Sequence, residues 1–263
     1  MFSGDYGFFD YKHNIIGYSG QDFRSSAQLV YLLISLVLLV SVLTVLRKLS
    51  KDMVSNVIMS VTIFLILFYI GKTTWETIYD IKFIGGFNSR LYPLDTCSII
   101  MYAGLISSFL KGKIKEYSDS WLATGCVVGG VATMISLNAL KCYPFLSFGA
   151  LYSMIWHFLM VFVGLLLIVT NYVDVNYKTI LKGFSFHFTV SLIVIPIDFI
   201  FECDFMMYRN LGGVPVFEHV AAKFTNMNIQ FLNPIMMLII YFLTFNVIIL
   251  SAMGIKKIVK YLE

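Results

Sequence analysis

Seven apolar runs, each close to twenty residues long, succeed one another along the chain. They lie at about 27–46, 54–74, 92–110, 121–140, 148–170, 180–201 and 232–253. The runs are continuously apolar and lack the alternation of a barrel strand. As α-helix, about 20 residues cross roughly 30 Å of hydrocarbon. The pattern therefore predicts an all-α fold, a polytopic membrane bundle of seven transmembrane helices. Polar residues punctuate it: Arg47-Lys48 closes the first run, Trp75-Glu76 follows the second, and Lys111, Lys113 and Lys115 close the third. Gly125, Gly129, Gly130 and Ala132 place small residues on the fourth run, where they let helix backbones approach closely. Residues 1–26 carry Phe8, Phe9, Tyr11 and Tyr18 and no signal-peptide pattern. They read as an interfacial segment lying on the bilayer. With no internal repeat or soluble domain in view, 1–263 reads as a single integral membrane domain. Its longest connection is 203–231.

Composition agrees. The chain is 59% hydrophobic and 13% charged, against about 25% charged residues in an ordinary soluble domain. The net charge of +4 gives no nucleic-acid signature, because the basic residues sit in small groups at loop edges. With the N-terminus outside, eleven of the nineteen Lys and Arg residues fall on the inner side, including Lys178, Lys182, Lys256, Lys257 and Lys260. The positive-inside rule then predicts a multi-pass protein of the cell membrane with a cytoplasmic C-terminus. The four cysteines, at 97, 126, 142 and 203, form no CxxC pair and no zinc or haem spacing, so neither metal nor cofactor is expected. Cys126, beside Gly125, reads as a packing residue. A disulfide between Cys142 and Cys203 stays open.

Candidate chemistry gathers at one depth. Leu91-Tyr92-Pro93-Leu94-Asp95-Thr96-Cys97 opens the third run with an acid, a hydroxyl and a thiol. Polar groups inside hydrocarbon are costly and mark buried sites. At 1.5 Å per residue Cys97 lies roughly 7 Å below the outer surface and His157 roughly 13 Å. Asp198 and Glu202 top the sixth run, and Glu76 tops the second. His187 lies apart, in the inner half of the sixth run, where a helix-to-helix hydrogen bond is its ordinary role. Asp198 and Glu202 have a plainer reading as partners of Arg90 or Arg209. Glu218 and His219 read as solvated loop residues.

A cysteine activated by a facing histidine is the arrangement that acyl transfer needs, with donors for the oxyanion. The same polar residues also suit a transporter or channel. Pro196 beside Asp198 breaks the helix ladder and frees a carbonyl for a ligand. A non-catalytic membrane scaffold is the third reading, and it leaves the polar cluster unexplained.

The stretch from Leu91 to Cys97 resembles the L-P-L-H-L-C signature of the YwaF and transmembrane protein 164 family. Trp156-His157-Phe158 is similar to that family's histidine helix. Asp204-Phe205-Met206-Met207-Tyr208 is similar to its N-Y-x-F-L stretch, followed by Gly212, Gly213, Pro215 and Phe231-Leu232-Asn233-Pro234 in matching places. The resemblance covers roughly 54–250. Asp95 stands where the signature has histidine, and Asp204-Phe205 where it has Asn-Tyr. The resemblance implies a multi-span acyltransferase that moves fatty acyl chains between membrane phospholipids and lysophospholipids, with Cys97 as nucleophile. His157 is then the expected base and Asp95 the group that orients it. Glu76, Asp198, Glu202 and Arg209 are expected to orient substrate or bind its headgroup.

Overall fold

In the computed structural model the chain is described at residues 7–10, 27–83, 92–136, 143, 146–211 and 215–262. These residues form eight α-helices and no strand: α1 (Ala27–Leu46), α2 (Lys51–Phe83), α3 (Ile99–Phe109), α4 (Lys113–Ser136), α5 (Phe148–Val169), α6 (Tyr177–Ile200), α7 (Pro215–Asn226) and α8 (Asn233–Leu262). Five of them, α1, α2, α5, α6 and α8, are long and apolar enough to cross a membrane. The end of the bundle that carries the α3–α4 and α5–α6 turns is called lower below.

The helices α1, α2, α6 and α8 each bury one stripe and leave the rest of their apolar surface outward, as expected where lipid is the solvent. On α1 the buried positions are Tyr31, Ser35, Leu39 and Leu43, four residues apart, and Tyr31 Oη donates to the Met154 carbonyl of α5 at 3.0 Å. On α2 they are Val54, Ile58, Thr62, Leu65 and Glu76. The central helix is α4, which packs against α3, α5, α6 and α8. It is buried without a break from Ser118 to Val127.

Small residues bring the backbones together there, as their spacing predicts. A Cβ on Gly130 would come within 2.8 Å of the His157 carbonyl oxygen and 2.6 Å of Val161 Cγ2. One on Gly183 would come within 2.9 Å of the Ser120 carbonyl oxygen.

Two of the expected spans differ from the sequence reading. The third run, read as a helix from 92, becomes helical only at a 3-10 turn, Thr96–Ser98, which leads into α3. Asp95 before it is extended, and the apolar helix Thr96–Phe109 is shorter than a full span. The fourth helix begins at Lys113 rather than 121, because charges that look like loop are paired, with Asp119 buried and Lys115 half-buried. Lys115 Nζ donates to the Ser107 carbonyl (2.5 Å) and to Tyr172 Oη (2.9 Å), and lies 3.3 Å from Asp119. Asp119 in turn accepts from Ser107 Oγ. This knot ties the lower ends of α3, α4 and α5. Gly112, at φ +70°, makes the tight α3–α4 turn without a Cβ penalty.

The long connection after α6 is structured as well. It holds α7 and, before it, a segment that folds back into the bundle with Cys203, Phe205, Met206, Tyr208 and Leu211 buried. Three non-glycine residues there, Glu202, Met207 and Leu211, take left-handed φ values of 54°, 58° and 51°. Such values need support. Asp204 Oδ1 accepts from the amides of Arg209 (2.9 Å) and Asn210 (3.1 Å), and Asn233 Nδ2 donates to the Arg209 carbonyl (2.6 Å). Cys203 is free, while Cys142, Arg90, Leu91, Gly212 and Gly213 lie outside the described residues. Most of the expected interfacial segment lies outside them too. Within it, Phe8 and Phe9 dock on the upper end, where Phe9 accepts from Trp75 Nε1 at 3.0 Å.

Candidate functional site

Cys97 lies in the 3-10 turn that leads into the short α3. Trp156 Nε1 donates to the Cys97 carbonyl at 3.1 Å, which ties this turn to α5. Helix α3 with its leading turn is shorter than a full span, and the amides at its start are bonded within the turn, Ser98 to the Asp95 carbonyl and Ile99 to the Thr96 carbonyl.

Polar and aromatic side chains gather around Cys97. Glu76 is buried, pairs with Lys72 and accepts from Tyr143 Oη at 2.5 Å. Lys72 Nζ sits 5.6 Å from the centre of the Tyr152 ring, and Tyr152 packs on Trp156 at 5.3 Å. Lys72 and Asp95 both lie within electrostatic range of the Cys97 thiol. Asp95 and Glu76 act on Tyr69 and Tyr152 in the same way. The structure therefore brings Cys97, Asp95 and Glu76 together around two tyrosines. It adds Lys72, which the sequence reading passed over as one more outer-side charge although it falls inside the second apolar run.

His157 follows Trp156 on α5, but its ring looks another way. Its Nδ1 lies 2.7 Å from the Ser153 carbonyl oxygen. A carbonyl only accepts, so Nδ1 carries the proton and the Nε2 lone pair is left to take one. Ser153 Oγ, at 3.4 Å from Nδ1, is the weaker neighbour. Among the described residues no hydrogen bond joins His157 to Cys97.

Thr96 is bonded across the bundle: its Oγ1 lies 2.6 Å from Tyr241 Oη on α8. The Tyr241 ring packs on His187, with centroids 4.2 Å apart. His187 is thus connected to the Cys97 turn rather than remote from it. Trp121 Nε1 donates to His187 Nδ1 at 3.3 Å. An indole only donates, so His187 carries its proton on Nε2, which points to Tyr208 Oη at 3.4 Å. Tyr208 Oη donates onward to Ser191 Oγ, and Ser191 Oγ donates to the His187 carbonyl at 2.8 Å. The ring of bonds closes.

The remaining predicted residues sit at the cap. Asp198 is fully buried. Its Oδ1 accepts from the Phe205 amide at 2.9 Å, and its Oδ2 has no partner. Asn233 Oδ1 is likewise buried and unpartnered. Glu202 is exposed and pairs with Arg209 at 3.7 Å, the plainer reading of that pair. His219 is exposed. Among the described residues no group of His, Cys, Asp or Glu has the makings of a metal site.

A cavity of about 590 Å³ opens elsewhere, between α1, α2 and α5, against Tyr31, Ser35, Val61, Phe64, Met154 and Phe158. Phe64 packs on Phe68 (5.3 Å) and Phe68 on Tyr152 (4.7 Å), so a row of rings runs from the wall of this cavity to Tyr152.

A family model described as the TMEM164 family matches residues 23–255. No curated protein matches the chain, and no solved structure does.

Proposed function

The chain belongs to the TMEM164 family, and from that premise we propose that it is an intramembrane acyltransferase. It moves a fatty acyl chain between membrane lipids through a thioester on Cys97. One observation carries this reading: the thiol stands in the turn that opens α3, tied through its carbonyl to Trp156, the residue before His157, whose Nε2 is set up to accept a proton.

His157 takes the Cys97 proton when its ring turns from the Ser153 side toward the thiol. The thiolate attacks the ester carbonyl of a phospholipid. The alcohol leaves as a lysolipid with the proton returned by His157, and an acceptor hydroxyl then collects the chain. Asp95, Lys72 and Glu76 orient the lipid above the thiol. Asp198, Glu202 and Arg209 serve the headgroup at the cap. The bundle crosses the cell membrane seven times, with α3 as a half-span, the N-terminus outside, and the basic lower end, including Lys113 and Lys257, in the cytoplasm.

The test is a single-turnover assay in lipid nanodiscs with a radiolabelled phospholipid donor. Wild type should trap a hydroxylamine-sensitive acyl-enzyme, and Cys97→Ala should trap none. Cys97→Ala, His157→Ala and the double variant should be about equally inactive, because members of one catalytic unit do not add. Full transfer by a folded Cys97→Ala protein would remove the covalent mechanism. A second reading, a transporter, is favoured by the unpartnered buried oxygens of Asp198 and Asn233. In that case Asp198→Asn would abolish a solute-uptake signal that Cys97→Ala leaves intact.

A further inference from the structure

Acyl transfer puts a negative charge on the former carbonyl oxygen, and in a water-poor site fixed donors must meet it. The residue directly before the nucleophile carries a hydroxyl whose surroundings are unusual. Thr96 Oγ1 and Tyr241 Oη lie 2.6 Å apart, and among the described residues neither hydroxyl has another hydrogen-bond partner. Two hydroxyls bring two protons. The bond between them uses one, whichever way it points, and one O–H is left to donate.

Tyr241 is held in place to make this pair. It is buried in α8, its ring packs 4.2 Å from His187 and 6.5 Å from Tyr208, and both of those belong to the closed ring of bonds with Trp121 and Ser191. A tyrosine fixed in this way loses little freedom when it binds an anion, which is the condition for preorganised stabilisation. Tyr241 also lies within electrostatic range of Cys97.

We infer that the hydroxyl pair Thr96–Tyr241 donates the hydrogen bond that stabilises the oxyanion formed when Cys97 attacks an ester, an inference that rests on the acyl-transfer reading above. The step balances. The Cys97 sulfur forms a bond to the carbonyl carbon, and the carbon–oxygen π pair moves onto oxygen, where the spare O–H binds it without giving up its proton. The pair then returns, the bond to the alcohol oxygen breaks, and the proton that His157 took from the thiol goes to that alcohol. The thioester is left on Cys97.

The experiment compares wild type with Thr96→Val, Thr96→Ser and Tyr241→Phe in full-length protein in nanodiscs, with two readouts. The first is single-turnover thioester formation from a phospholipid with a labelled acyl chain. The second is alkylation of Cys97 by iodoacetamide, read on the Cys97 peptide. That reaction needs the same thiolate but forms no oxyanion. Thr96→Val and Tyr241→Phe are expected to slow thioester formation by about 10²- to 10³-fold, with alkylation unchanged and Thr96→Ser restoring acylation. Acylation at the wild-type rate in Thr96→Val would overturn the inference. So would parallel loss of both readouts, which marks a packing role. A wild type that forms no thioester at all removes the acyl-transfer reading together with this inference. That failure is distinguishable from loss of the oxyanion role alone, because it appears before any substitution is made.

Discussion

His157 and His187 are both buried, at 7% and 0% exposure, in neighbouring apolar helices. By composition and position they are equivalent, and their hydrogen bonds make them opposites. His157 gives its Nδ1 proton to a backbone carbonyl of its own helix and leaves Nε2 uncommitted. His187 has both nitrogens engaged, one by the Trp121 indole and the other by Tyr208. The first arrangement is that of a base held in one tautomer. The second is a pin: it fastens the refolded segment after α6 to the central helix, and through Tyr241 it steadies the turn before Cys97. A buried histidine in a membrane helix therefore does not announce its role by being buried. The donor-only or acceptor-only character of its neighbours decides it.

The largest effects should separate the pair cleanly. His157→Ala is expected to cut acyl transfer by about 10²- to 10⁴-fold, the range for a general base. Its unfolding temperature should fall by only a few degrees, since the Ser153 carbonyl keeps its helical partner. His187→Ala is expected to do the reverse in kind. It leaves the Trp121 N–H without an acceptor, takes the His187 Nε2–H donor from Tyr208 Oη, which keeps Ser191, and opens a cavity, together roughly 3–5 kcal/mol. For a chain of this size that is on the order of 10 °C. Thermal unfolding and single-turnover transfer on the same two preparations check this. A His187→Ala protein as stable as wild type breaks the comparison.

A smaller change probes the pin alone. Tyr208→Phe keeps the ring and removes only the hydroxyl that links His187 Nε2 to Ser191. The expected loss is about 1–3 kcal/mol, the cost of leaving buried polar groups unpaired. Chemical denaturation in mild detergent measures it. An unchanged midpoint would mean that the closed ring of bonds carries no stability.

Much of the scaffold was legible in the apolar pattern. The first run and α1 have the same bounds, Ala27–Leu46, and α5 runs Phe148–Val169 where 148–170 was expected. What misled was charge and length. Lys115 and Asp119 read as loop because the sequence does not show that Ser107 and Tyr172 will partner them. The third run read as a full span because composition cannot tell a mostly apolar turn, Tyr92-Pro93-Leu94-Asp95, from helix. At the site, Cys97 and His157 were visible because thiols and imidazoles in hydrocarbon stand out. Thr96, Tyr241 and Tyr208 were not, because a tyrosine in an apolar helix looks like any other aromatic until its hydroxyl finds a partner across the bundle. The turn of the His157 ring, with Nδ1 on the Ser153 carbonyl of its own helix, is a choice of side-chain rotamer, which spacing along the sequence does not show.

The smallest expected effect tests the tautomer on which the comparison turns. Two oxygens of Ser153 lie near His157 Nδ1, the carbonyl at 2.7 Å and Oγ at 3.4 Å. If the carbonyl is the partner, Nδ1 is protonated and Nε2 is the basic nitrogen. If the hydroxyl were the effective partner and donated to Nδ1, the proton would sit on Nε2 and His157 would resemble His187, a donor with no lone pair to offer the thiol. Ser153→Ala removes the hydroxyl and keeps the carbonyl. With the carbonyl as partner, transfer should stay within about twofold of wild type, and stability should change by no more than about 0.5 kcal/mol, because alanine is the better helix former. A tenfold or larger loss of transfer in a folded Ser153→Ala protein would assign Nδ1 as acceptor and take from His157 its place as the base. A ¹⁵N spectrum of the histidine ring nitrogens, read before and after the substitution, reports the same tautomer without any turnover.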